Sequence, residues 1–228
     1  MEPVHEAAKR VMAVQMRYAR QGIGLAQAAM AGAAALDPWR HHPRADVIDR
    51  HNASQFYYHA HGSSRCPAAE HGHFHLFARE LGLDAGPSQA AGVGRRSCAA
   101  SPDTPERYVH LVALSLDARG LPLRWFVTNR WVTGGQWADA GTVIAALARF
   151  APHARGRMAP VCEWLSAMTV LYGQAIAALL RRRDAIVARR AAHDRRESFF
   201  EDRSVDVITE TRISLGHRLA SLAGPARP

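Results

Sequence analysis

The stretch YYHAHGSSRCPAAEHGHFHLF, Tyr57–Phe77, decides how this chain is read. His59 and His61 lie two apart, and so do His71, His73 and His75. Side chains two apart on a strand share a face. Phe74 and Leu76 take the opposite parity in the second group. The spacing predicts strands over 55–61 and 71–79, joined as an antiparallel hairpin by a long connection. Imidazoles line one face, and Phe74 and Leu76 turn to the core.

Imidazole ligates transition metals and moves protons near neutral pH. A regular strand rises ~3.3 Å per residue, so His71 and His75 stand about 13 Å apart and cannot share an ion. A metal site would draw two ligands from one strand and one or two from its neighbour, with His59, His61, His73 and His75 as the natural quartet. Glu70 is expected as base or as the acceptor that holds a ligand, or as an oxygen donor at the rim. His71 is a second candidate base, set below the others because a bulge at Gly72 would rotate it away. Arg65, beside Ser63 and Ser64, is placed to clamp an anion. Tyr57, His110, Arg124 and Arg130 are candidate substrate-binding residues. Tyr57 shares parity with His59, and Arg124 and Arg130 take the polar parity of their own strand. Against this stands a plain alternative, in which the histidines are solvated or bonded to backbone carbonyls.

Known patterns narrow the chemistry. HExxH, GxSxG, a phosphate loop and a dinucleotide fingerprint are all missing. The deaminase PCxxC is missing as well. Cys66, Cys98 and Cys162 are widely spaced, which is neither a disulfide framework nor a thiolate zinc knuckle and suits a reducing cytoplasm.

Hydrophobic residues make up 48% of the 228, enough for a sizeable core. No run of apolar residues is long enough for a transmembrane span, and no signal peptide is evident. The net charge of +9 comes almost wholly from arginine. It favours acidic partners in general, yet no basic–aromatic interleaving of an RNA-binding sheet accompanies it.

Elsewhere, residues 4–30 read as a helix and 36–54 as coil. Segments 108–116 and 121–132 read as a second hairpin, and 83–106 as a long irregular loop. Helices are expected over 137–150, over 158–192 with Pro160 near its start, and over 204–222 with Ser204 as cap. The expected fold is α+β: a small antiparallel sheet of about four strands, an N-terminal helix and long C-terminal helices. It is read as a single domain, with a helix and mainly β region over 1–135 and a helical region over 136–222.

EHGHFHLF at Glu70–Phe77, taken with TNRWVTG at Thr128–Gly134, resembles an uncharacterised family of bacterial proteins over residues 37–150. That resemblance implies neither fold nor function. The residues themselves point to a cytoplasmic, metal-dependent enzyme of oxidative or hydrolytic chemistry. Zinc, iron, copper or manganese is expected ahead of haem, with a small anionic molecule as partner and a homo-oligomer as a further expectation. Nucleic acid and membrane are disfavoured as partners. One alternative is a non-catalytic module binding a metal, a haem-like cofactor or an anion. Another is an interaction protein that works through the arginine-rich stretch Arg181–Glu201.

Overall fold

The computed structural model describes residues 4–33, 35, 37–61, 69–79, 108–192 and 196–223. Its centre is one antiparallel sheet of six strands in sequential order: β1 (His42–Asp49), β2 (Ser54–His59), β3 (Gly72–Arg79), β4 (Tyr108–Leu116), β5 (Pro122–Thr128) and β6 (Val207–Arg212). The fold is thus α+β, with six strands where about four were expected. The segment read as coil contains β1, an edge strand whose Pro43 needs no ladder partner. The other new strand, β6, lies inside the expected last helix. Val207, Thr209 and Thr211 alternate along it, and such β-branched residues favour a pleated surface over a helix.

The helices depart from expectation in a similar way. The first one divides into α1 (Val4–Arg20) and α2 (Leu25–Ala29), separated by Gly22 at φ +69°. The short α3 (Arg130–Thr133) and α4 (Ala140–Leu147) follow β5. After a 3-10 turn (Gly156–Met158) come α5 (Ala159–Leu171) and α6 (Gly173–Ala191), bent by 71° where one long helix was expected. The chain closes with α7 (Arg196–Phe200), then β6, then α8 (Leu215–Ala223). The long helices therefore precede the last strand. Among the described residues no single helix is long and apolar enough to cross a membrane.

One sheet face carries Phe56, Tyr58, Phe74, Leu76, Leu114, Trp125 and Val127 into a core shared with Val11, Trp164, Leu165, Met168 and Leu179. Val161, Leu171, Tyr172 and Ile176 are buried along the same helices. The sheet's other face carries the histidines.

Candidate metal centre

Register builds the site. Strands β2 and β3 pair so that His59 lies opposite His73 and Tyr57 opposite His75. The two rows therefore share a face, and ring packing brings the nitrogens together. Nitrogens of His59, His73 and His75 all lie within 4.8 Å of one another, and the three residues are 9%, 3% and 1% exposed. This is a buried, all-histidine cluster able to coordinate a metal ion.

The partners of these rings fix their orientation. His73 Nδ1 lies 2.6 Å from Glu70 Oε1 and donates to that carboxylate. In the neutral ring this leaves Nε2 as the lone-pair atom, 2.8 Å from His59 Nε2. Glu70 is not at a rim: its side chain is 2% exposed. Its other oxygen accepts from Ser115 Oγ at 2.6 Å and from Arg124 Nη2 at 3.2 Å. Burial opposes the ionised carboxyl, but His73, Ser115 and Arg124 outweigh it and hold its pKa down to about 2. Arg124 also pairs with Glu210 and stacks over Phe126 at 4.6 Å.

His75 has its own partner, His110, with Nδ1 to Nε2 at 3.1 Å. His110 Nδ1 faces Thr128 Oγ1 at 3.4 Å. His110 has even numbering and Ser115 odd, yet both serve the same face. The β3–β4 register shifts between Leu76 and Phe77, placing Phe77 opposite His110 while His75 lies opposite Ala113. One extra residue in β4 reverses the parity along that strand.

Burial with no compensating carboxylate keeps these rings neutral. Desolvation, reinforced by the neighbouring His73, pushes the His59 pKa down to about 2. Desolvation and the nearby Arg183 push His110 down to about 3. Desolvation holds His75 well below 6.5. Neutral imidazole is the form that binds metal.

Other expected site residues fall elsewhere. His61 packs against the cluster, with ring centroids 4.9 Å from His59 and 5.1 Å from His73, but its nitrogens do not join the three that converge. His71 turns away: Tyr58, on the helix-packed face, meets its Nδ1 at 2.8 Å. Gly72 permits this by its small size. A Cβ there would lie 2.7 Å from the Tyr58 hydroxyl, so the glycine makes room for a ring. Arg130 is not on a strand. Asn129 accepts from Arg130 N and starts α3, which sends the Arg130 side chain to Glu201 at 2.8 Å. Tyr57 lies between the histidines, 5.2 Å from His75 by ring centroids. Arg65, with Ser63, Ser64, Cys66 and Cys98, lies outside the described residues.

Two groups escaped the sequence reading. Ser115 stands out there only as a polar residue in an apolar strand. His41 and Asp46, bonded Nδ1 to Oδ1 at 2.8 Å, both lie in the segment taken as coil.

The chain belongs to the family described as domain of unknown function DUF6969, which matches residues 5–213. Searches of curated proteins and of solved structures returned no match.

Proposed function

We propose that the chain is a metal-dependent enzyme whose transition-metal ion is held by His59, His73 and His75. The observation that carries this reading is the His73 arrangement. A buried carboxylate accepts a hydrogen bond from its Nδ1–H, and its Nε2 is turned into a cluster of neutral imidazoles. Metal-bound histidines characteristically donate their second ring N–H to a carboxylate in this way. Glu70 is the orienting acceptor for His73, His110 the partner of His75, and Arg124 the cation that fixes Glu70. Three nitrogen donors suit zinc, copper or iron, and three protein ligands leave a coordination position for water or substrate, as in catalytic zinc sites. A bound ion would supply Lewis-acid or redox chemistry there. A divalent ion on three neutral ligands keeps its positive charge, which suits a small anionic molecule.

The test is elemental analysis of untagged protein, before and after supplementation with zinc, iron, copper and manganese salts. About one ion per chain is expected, with loss in His73→Ala. A wild type that stays metal-free under all four salts would refute the proposal. One observation favours a second reading in that event. The His59–His73 separation of 2.8 Å is a hydrogen-bond length, shorter than the ~3.3 Å expected for two nitrogens on one tetrahedral zinc. A metal-free Glu70–His73–His59 chain would then be the working unit.

A further inference from the structure

The three converging nitrogens are buried, so an ion must reach them from solvent. His41 stands at the outer end of a row of imidazoles leading inward. Its side chain is 35% exposed, whereas His59, His73 and His75 are 9%, 3% and 1% exposed as residues. Ring centroids step 5.8 Å from His41 to His59, then 4.6 Å from His59 to His73 and 5.1 Å from His59 to His75.

The fold orients this outer ring with the same device used for His73. Asp46 Oδ1 accepts a hydrogen bond from His41 Nδ1–H at 2.8 Å. Gln55 Nε2 donates to Asp46 Oδ2 at 2.7 Å, and Arg79 Nη1 donates to Gln55 Oε1 at 2.6 Å. Gln55 and Arg79 are buried. Tyr57 stacks flat on the His41 ring, with centroids 3.6 Å apart and planes at 9°. The ring is therefore fixed at Nδ1 and on one face. In its neutral form it keeps Nε2 as a lone-pair donor, the atom a metal needs. A histidine with no role beyond solvation requires neither a carboxylate lock nor a stacking partner.

We propose that His41 is the capture ligand of the metal centre: it binds the incoming divalent transition-metal ion first and hands it to His59, and it is not a ligand of the loaded site. This rests on the three-histidine reading above. Asp46 is then a positioning residue, acting through His41.

The experiment is stopped-flow loading of metal-free protein with Co²⁺ alone, followed by its visible absorption, together with equilibrium titration. Wild type, His41→Phe and Asp46→Asn are compared; phenylalanine keeps a ring against Tyr57 and removes both nitrogens. The expected result is loading slowed on the order of tenfold in Asp46→Asn, the scale seen when a ligand's outer partner is lost, and by more in His41→Phe, which removes the ligand itself. Final stoichiometry and spectrum stay as in wild type. Equal loading rates in all three proteins overturn the capture role and leave the three-histidine site intact. A changed final spectrum or stoichiometry in His41→Phe also overturns it, because His41 would then be a resident ligand. Failure of wild type to take up Co²⁺, zinc, iron, copper or manganese removes the site and the capture role together.

Discussion

Replacing Glu70 with glutamine tests the centre at the residue that ties it to the rest of the sheet. The substitution keeps shape and removes charge. The carboxylate now accepts from three donors: His73 Nδ1 at 2.6 Å, Ser115 Oγ at 2.6 Å and Arg124 Nη2 at 3.2 Å. An amide has one oxygen, so it can serve His73 or the Ser115–Arg124 pair, but not both. If the oxygen stays on His73, the amide NH₂ faces the Arg124 guanidinium, donor against donor. Glu210 still balances Arg124, so the charge is not stranded. The loss is then about one charge-assisted hydrogen bond, roughly 2 kcal/mol. In a chain of this size that lowers the Tm of the metal-free protein by about 4–8 °C. Metal affinity should fall about 10–100-fold, because His73 loses the anion that orients it and raises its basicity. Thermal melts with and without Zn²⁺ read both effects, since binding to the folded state raises Tm by mass action. A Glu70→Gln protein with lower stability but an unchanged zinc-induced Tm shift would refute the orienting role and leave Glu70 a purely structural residue.

Two further outcomes are expected, one at the histidines and one away from them. The metal-free protein should lose stability as pH falls below about 6.5, the ordinary imidazole value, because the folded state holds His59, His75 and His110 neutral while the unfolded chain takes up their protons. Each such ring contributes at most about 1.4 kcal/mol per pH unit, and Glu70, held near 2, adds in the same direction below its ordinary 4.5. Urea midpoints measured in chelator at pH 7.5 and 5.5 check this, and equal midpoints would contradict the neutral buried rings. Asn129→Ala should cost about 2 kcal/mol, since its buried side chain caps α3 and donates to the Phe199 and Asp202 carbonyls. Its metal stoichiometry should equal wild type; loss of metal at retained fold would place Asn129 in the site instead.

Period-two spacing was enough to put His59, His73 and His75 on one face, because alternation is a property of any regular strand. Adjacency of the two strands followed from their order and length. The partners were another matter. His110 reaches His75 only because the β3–β4 register shifts, and nothing in YVHLVALSL marks where an extra residue will sit. His71 left its row because Tyr58 crosses Gly72, a contact between faces that parity cannot express. Arg130 left its row because Asn129 begins a helix inside the expected strand. Strands β1 and β6 were hidden by local signals that suggested otherwise: Pro43 on an edge, and a charged, mixed run at Val207–Arg212 that is only half-buried.

Missing β1 concealed the most informative comparison in the molecule. On one side of His59, Arg124 holds Glu70, and Glu70 holds His73. On the other side, Arg79 holds Gln55, Gln55 holds Asp46, and Asp46 holds His41. Each chain runs from a guanidinium to a carboxylate to an imidazole Nδ1, and each leaves the ring's Nε2 as the atom available for coordination. Core stability does not require two such chains, since an apolar face of the same area would bury as well with no polar groups to satisfy. Their cost is recovered only if the orientation of the imidazoles matters. The inner chain serves a ring that is 3% exposed, and the outer chain serves a side chain that is 35% exposed. That difference separates holding an ion from admitting one, and it is why the two histidines are assigned different tasks.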